Sequence, residues 1–132
     1  MKVVLDTNVL IAAFITQGVC HELLEHCVYH HEIIISDFIL DELRQKLTGK
    51  FKYSIQDVTD VGNLLLSVAQ IVTPIVFESP VSRDPDDDFV LGTAVAGNAA
   101  CIITGDKDLL VLERYGNIDI IKPANFAQYE AR

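Results

Sequence analysis

Four short apolar segments, each followed by residues that can begin a helix, constrain the fold of this 132-residue chain more than any other feature. These segments are residues 3–5, 33–35, 100–104 and 118–121. The β-branched run at 33–35 is typical of a strand that is covered on both faces. Strands that alternate with helices form βαβ units, so the sequence predicts a parallel sheet with helices on both faces.

Helical patterns fill the segments between the predicted strands. Thr7 or Asn8 can cap the first helix, and the others are expected over residues 21–29, 37–47, 55–70, 85–96, 108–115 and 123–129. A further strand is expected over 71–77, where Pro74 favours an edge position or a bulge. We therefore predict one domain, residues 1–132, folded as a three-layer α/β/α sandwich with a mostly parallel sheet of four or five strands.

Composition indicates a globular protein of the cytoplasm. Half of the residues are hydrophobic, and the longest apolar run, residues 9–15, is too short to cross a bilayer. Three cysteines are an odd number and argue against a disulfide framework. Reduced thiols fit a cytosolic location, and we expect no membrane association.

Four acidic residues lie just past the end of a predicted strand or within the helix behind it: Asp6, Glu42, Asp87 and Asp106. The carboxyl ends of the strands in an open parallel sheet line one crevice, so residues distant in sequence can converge there. Carboxylates that are packed together raise one another's pKa unless a cation neutralises them. Hard divalent cations that prefer oxygen ligands, chiefly Mg²⁺ or Mn²⁺, meet that need. The sequence therefore predicts a metal-dependent site.

The formal net charge of −9 by itself disfavours a nucleic-acid partner, because phosphate binding depends on Lys and Arg. Two observations weaken this objection. Four of the ten basic residues follow Glu42 in one short segment, namely Arg44, Lys46, Lys50 and Lys52. Bound cations would also reverse the local sign of the charge at the acids. The basic segment is interpreted equally well as a phosphate-binding lip or as a solvated helix end.

Several motifs of doubly wound folds are absent. The turn after the first strand, Asp6-Thr7-Asn8, contains no glycine and therefore no dinucleotide fingerprint. The chain has no P-loop, and Asn8 occupies the position where an aspartyl phosphatase requires a second aspartate. These absences narrow the choice of function among such folds.

The remaining motifs resemble those of the PIN-domain nucleases, notably the toxin components of bacterial and archaeal toxin–antitoxin systems. The matching pieces are residues 5–11, Glu42 in the helix after the second strand, the acidic turn 84–89 before an alanine-rich helix, and residues 103–110. The resemblance extends from residue 2 to about residue 125. The order, the spacing and the strand context of these motifs together make the resemblance specific.

The resemblance implies a ribonuclease that depends on magnesium or manganese and hydrolyses single-stranded RNA. In that interpretation Asp6, Asp87 and Asp106 hold metal, and Glu42 positions a metal or the attacking water. Asp87 fits the family's spacing best, Asp88 is the competing residue, and Asp84 is an outer ligand or a turn residue. Hydrogen bonds from Asn8 and Thr104 would orient the carboxylates, although capping explains Asn8 equally well.

The resemblance also implies partners: an RNA substrate, a small antitoxin protein that blocks the crevice, and a homodimer through helices of the N-terminal half. The sequence leaves open whether the chain is a toxin or a housekeeping nuclease. Two other functions stay open, namely a non-catalytic RNA- or protein-binding module of the same fold and a metal phosphohydrolase acting on another substrate.

The four histidines, His21, His26, His30 and His31, are interpreted as a polar helix face. His26 and His30 have the four-residue spacing of a zinc pair, but no third ligand is apparent. A metal-free ribonuclease that uses paired imidazoles ranks low, because no feature of the sequence places them near the crevice.

Overall fold

The structure, a computed structural model, describes all residues from Met1 to Arg132. Six strands are present, and their bounds are β1 Lys2–Leu5, β2 Glu32–Ser36, β3 Ala69–Val72, β4 Cys101–Ile103, β5 Arg114–Tyr115 and β6 Ile118–Ile121. Seven α-helices accompany them, α1 Thr7–Ile15, α2 Val19–His30, α3 Asp37–Gly49, α4 Ile55–Val68, α5 Pro85–Ala96, α6 Lys107–Leu110 and α7 Phe126–Glu130, with a 3₁₀ turn at Pro123–Asn125.

The strands form one sheet in the order β3-β2-β1-β4-β6-β5, in which only the β5–β6 pair is antiparallel. From β1 the chain proceeds outward through β2 to β3, then returns across the sheet through α5 to β4 on the other side of β1. Because parallel crossovers are right-handed, this reversal places α5 on the opposite face from α1 to α4. The predicted three-layer α/β/α fold with a mostly parallel sheet is confirmed.

The central strands are buried on both faces, as their apolar composition predicts. Residues 3–5, 33–35 and 101–103 are each at most 2 % exposed. They belong to a core of 30 buried apolar residues to which α1, α3 and α5 also contribute. Complete burial of both faces makes the positions of the strand ends rigid, and the acidic residues follow those ends.

The sheet has one strand more than predicted because the helix expected over 108–115 is much shorter. It ends at Leu110, and β5 then pairs with β6 through a two-residue turn at Gly116 and Asn117. Gly116 has φ of +58°, a left-handed conformation that suits such hairpin turns. The Gly-Asn pair between two apolar segments was the sequence signal for this hairpin.

Two other local predictions were wrong. The first helix is capped by Asp6, whose Oδ1 accepts a hydrogen bond from the Thr7 amide at 2.7 Å, and not by Thr7 or Asn8. The strand expected over 71–77 ends at Val72, because the chain leaves the sheet at Pro74 and crosses over α5. There the Ile75 amide donates to the Gly92 carbonyl at 3.1 Å.

No single helix is long and apolar enough to span a bilayer; α1 and α2 reach that length and hydropathy only in combination, and they meet at 105°.

The crossing of residues 73–80 over α5 depends on the absence of a side chain at Gly92. A Cβ atom there would lie 2.2 Å from the carbonyl oxygen of Ile75, so the backbone would have to move. We expect Gly92→Ala to lower the free energy of unfolding by about 1–3 kcal/mol, the usual effect of overpacking. Urea denaturation provides the measurement. Gly49→Ala is the matched control because a Cβ at Gly49 meets no atom within 4 Å; equal stability of the two variants would contradict the close approach.

Candidate active site

The candidate site lies where the direction of the chain reverses in the sheet, between the carboxyl ends of β1 and β4. These strands are neighbours, with Leu5 opposite Ile103, so the residues that follow them are adjacent in space. The Asp6 amide donates to the Ile103 carbonyl at 3.0 Å and extends the pairing by one residue. The connections after β1 and β4 then diverge toward opposite faces, which creates the crevice in which open α/β sheets bind ligands.

Asp6 is held in place by two hydrogen bonds. Its Oδ1 accepts from the Thr7 amide, and its Oδ2 accepts from the Thr104 hydroxyl, each at 2.7 Å. Burial raises the pKa of the Asp6 carboxyl, the two hydrogen bonds oppose this effect, and the carboxylates of Asp106 and Glu42 raise the pKa further. Asp6 is therefore a buried, oriented carboxylate that two other acids approach from β4 and α3.

The acidic turn before α5 places Asp87 inward and its neighbours elsewhere. Asp87 is 4 % exposed, and its Oδ2 accepts from the Ser82 hydroxyl at 3.2 Å. Asp88 accepts hydrogen bonds from the amides of Val81 and Ser82, so it fixes the loop that precedes the helix. Asp84 caps α5 by accepting from the Asp86 amide. Of these acids, Asp87 is the one buried at the crevice.

Asp87, Asp106 and Asp108 form the tightest acidic group in the structure. Each offers a carboxylate oxygen, and the three oxygens lie within 4.8 Å of one another. Burial and, second, the carboxylate of Asp106 together raise the pKa of Asp87 to about 7. The Arg83 side chain is 87 % exposed, and its Nε lies 3.7 Å from Asp108. An exposed cation at that distance neutralises little of the charge at Asp87.

Asp108 was not among the predicted site residues. The signal was present in the sequence Gly105-Asp106-Lys107-Asp108, since two acids open the same short helix. Asp106 caps α6 by accepting from the Asp108 amide at 2.8 Å. The carboxylates of Asp106 and Asp108 also lie within 4.8 Å of one another.

Thr104 and Asn8 were both predicted to orient the carboxylates by hydrogen bonds, but the structure gives them different partners. Thr104 links two acids, because its hydroxyl donates to Asp6 and accepts from the Asp106 amide at 3.0 Å. The side chain of Asn8 instead contacts a lysine: its Oδ1 accepts a hydrogen bond from Lys46 Nζ at 3.3 Å. Glu42, on α3, lies close enough to Asp6 to raise its pKa but outside the tight group of three oxygens.

The donor set fits a hard divalent cation. The ligands on offer are carboxylate oxygens from two elements, one of them almost fully buried, and a site of this kind suits Mg²⁺ or Mn²⁺. Asp6 stands beside this group, near Asp106, and does not belong to the three oxygens within 4.8 Å. Of the three predicted metal ligands, Asp87 and Asp106 thus form a tight pair, and Asp6 lies farther from them.

Comparison with known proteins identifies the class to which this fold and site belong. The family model described as PIN domain matches residues 2–108. Since the match covers most of the chain and contains all four predicted acids, the chain belongs to the PIN domain family. The resemblance to PIN-domain nucleases is thereby confirmed at the level of the family.

The similar proteins agree with this family. The chain is 34% identical over 119 residues to the uncharacterised protein MJ1680 of Methanocaldococcus jannaschii, with 85% of this chain and 75% of that protein covered. The structure of VapBC2 from Rickettsia felis bound to a DNA fragment from their promoter has a TM-score of 0.62, with 19% identity, and covers 92% of this chain and 98% of that one. VapBC-1 from nontypeable Haemophilus influenzae has a TM-score of 0.65, with 16% identity and coverages of 94% and 99%. At these identities the two solved structures establish the shared fold.

Burial of Asp87 among other carboxylates predicts a particular pH dependence of stability. The pKa of Asp87 is about 7 in the folded chain against 3.8 for a free aspartate, so the folded state retains a proton that the unfolded state loses. Stability then falls as pH rises through this interval. We expect urea denaturation in chelator to show that the wild type, relative to Asp87→Asn, loses on the order of 2 kcal/mol between about pH 4 and pH 7.

The control for this measurement is Asp86→Asn, because Asp86 is an exposed acid of the same helical turn. This variant should follow the wild type across the whole pH range. A constant difference in stability between wild type and Asp87→Asn would show that the Asp87 carboxylate is not destabilised by its surroundings.

Proposed function

We propose that this chain is a divalent-metal-dependent endoribonuclease that hydrolyses single-stranded RNA. The observation that carries the proposal is the group of three carboxylate oxygens, from Asp87, Asp106 and Asp108, that approach within 4.8 Å and have one ion pair, to the exposed Arg83. Such a group is repulsive by itself and is stabilised by a doubly charged ion. Membership of the PIN domain family supports a nuclease as the general class.

Each residue has a part in the proposed reaction. Asp87 and Asp106, with Asp108 beside them, would hold Mg²⁺ or Mn²⁺, and Asp6 would complete the acidic wall of the crevice. When bound, the ion would lower the pKa of water and stabilise the charge that develops on the leaving oxygen. Glu42 accepts a hydrogen bond from the attacking water and orients it toward the phosphorus. The water oxygen bonds to phosphorus as the P–O3′ bond breaks, and a proton from the water passes to O3′, so the fragments carry a 5′-phosphate and a 3′-hydroxyl.

Thr104 is a positioning residue for this chemistry. Its hydroxyl is fully buried and connects the Asp6 carboxylate to the Asp106 backbone. A single side chain therefore fixes the relative position of acids that follow two different strands. The reaction needs no ribose 2′-hydroxyl, so single-stranded DNA is a second substrate to test.

Asp6→Asn tests the catalytic assignment, because asparagine keeps one oxygen for the Thr7 amide and is as good a helix cap as aspartate. Circular dichroism checks that the fold survives the change in the hydrogen bond from Thr104. We expect cleavage of single-stranded RNA in magnesium to fall by at least about 100-fold, as when a preorganised charged group is lost from an active site. The measurement is cleavage of a defined RNA pool with magnesium or chelator, with the fragment ends mapped. Asp41→Asn removes an exposed carboxylate from α3 and should cleave like the wild type.

Retained cleavage by Asp6→Asn would refute the acidic site. Binding of RNA without cleavage by the wild type would favour a non-catalytic module. Faster turnover of small phosphate esters than of RNA would favour a phosphohydrolase acting on another substrate.

We further propose that Lys46 contacts the RNA backbone at the edge of the crevice. Lys46 lies four residues after Glu42 on α3, so both side chains lie on the same helix face. Its ammonium group donates to the neutral amide of Asn8 and takes part in none of the ion pairs of the structure. A cation without a carboxylate partner, close to the strand end that carries Asp6, suits a phosphate group.

Loss of this charge should weaken RNA binding with little effect on the chemical step. For Lys46→Gln we expect a several-fold higher KM, a similar kcat, and a decrease of about 0.7 in the slope of log affinity against log salt, the value for one phosphate contact on a single strand. Binding is measured in the Asp6→Asn background so that the RNA stays intact. Lys2→Gln is the control, because Lys2 lies at the amino end of β1, and the crevice lies at the carboxyl end of that strand. Equal effects of the two substitutions would show that Lys46 acts only through the net charge of the chain and not through a contact with RNA.

We also propose that the chain is the toxin of a toxin–antitoxin pair in the cytoplasm, with an antitoxin protein as its partner. Two features support this proposal: the fold is shared with two VapBC structures, and the chain has an open apolar cavity of 570 Å³ between α1, α2 and α4. Phe14, Ile15, Leu24 and Leu64 line this cavity. Apolar surface of this kind on a small domain commonly binds another protein or a second copy of the chain.

A further inference from the structure

A second group of metal-ligating side chains lies on the other side of the molecule from the acidic site. His26 Nε2, His31 Nε2 and a carboxylate oxygen of Glu130 lie within 4.8 Å of one another. His26 is on α2, His31 directly precedes β2, and Glu130 is on α7. His31 lies at the amino end of β2, whereas the acids follow the carboxyl ends of β1 and β4. The two groups therefore lie at opposite ends of the parallel strands.

The two imidazoles are aimed at the same atom. His26 Nε2 lies 2.7 Å from Glu130 Oε2 and 3.0 Å from Oε1, and His31 Nε2 contacts the same Oε2. Ligands of a tetrahedral zinc ion are roughly 3.3 Å apart, because Zn–N bonds of about 2.1 Å meet at tetrahedral angles. The contacts of His26 and His31 with Glu130 are therefore close to the spacing of zinc ligands, and an ion would take the place of the ring protons.

The surroundings hold the three ligands in position. Phe126 places its ring at 70° to His26 and at 89° to His31, with ring centroids 6.4 and 5.7 Å apart. The side chain of His31 is only 10 % exposed, and that of Glu130 is 29 % exposed. The side chain of His26 is 40 % exposed, so an ion can reach the group from that side.

We propose that His26, His31 and Glu130 bind a transition-metal ion of the zinc class. Two imidazoles and one carboxylate select Zn²⁺, Co²⁺ or Ni²⁺ over Mg²⁺, which prefers oxygen ligands alone. The ion cross-links α7 to α2 and to the start of β2, over 99 to 104 residues of sequence. Its function is structural, because the site lies away from the acidic crevice.

The test uses the full chain freed of metal by a chelator, then supplied with excess Mg²⁺ to fill the acidic site, and titrated with Zn²⁺ in a calorimeter. We expect one equivalent of zinc per chain and a rise in the melting temperature. Glu130→Gln should lower the affinity by about tenfold or more. Co²⁺ serves as a spectroscopic probe, and its visible absorption should change on binding to the wild type but not to this variant.

Two controls distinguish this site from other zinc ligands. His21→Gln removes a histidine of the same helix that instead contacts the Ala13 carbonyl and Glu25, and Asp87→Asn alters the acidic site. Both should bind zinc like the wild type. Because Glu130 also anchors α7 to His26 and His31, circular dichroism checks the fold of Glu130→Gln, and His26→Gln repeats the test with the His31–Glu130 contact left intact.

Three results would overturn the proposal: no saturable zinc binding by the wild type, zinc binding lost in Asp87→Asn but kept in Glu130→Gln and His26→Gln, or one zinc per two chains. None of these depends on RNA cleavage, so the zinc site and the proposed nuclease activity are tested separately.

Discussion

The hydrogen bond between the Thr104 hydroxyl and the Asp6 carboxylate joins the ends of the two central strands, and the rest of the site is arranged around it. It is fully buried at Thr104, so water does not compete for it. The same hydroxyl accepts from the Asp106 amide, which orients the turn that carries Asp106 and Asp108. A carboxylate at position 6 is thus both a helix cap and part of the acidic wall, because its two oxygens have different partners.

The acidic crevice illustrates how a fold can hold an arrangement that is unfavourable by itself. Asp87 loses solvation and faces Asp106, and both effects raise its pKa. The stability needed to tolerate this comes from the core of 30 apolar residues, above all from strands buried on both faces. Clusters of destabilised titratable groups on a rigid scaffold are a common sign of a functional site. The histidine–glutamate group differs from the crevice, because its members are attracted to one another.

Much of this protein was predictable, although with uneven accuracy. The apolar runs at 33–35 and 100–104 identified two central strands of the sheet. The segment 75–77 and the hairpin at Gly116 and Asn117 were misassigned. In the first case the decisive interaction is a contact between Ile75 and Gly92, which are distant in sequence. In the second, a helical apolar pattern concealed a turn signal of two residues.

The sequence by itself determined the order of strands and helices, the family, and which acids follow the strand ends, because these depend on hydrophobic periodicity and local motifs. Only the tertiary structure decided which carboxylates share one space. It buried Asp87 at the crevice while Asp84 and Asp88 bond to backbone amides, brought Asp108 next to Asp87, and placed Glu130 beside His26 and His31. It also paired Asn8 with Lys46. The reason is physical: distances between side chains depend on the reversal of the sheet and the docking of the helices, and no local pattern encodes either.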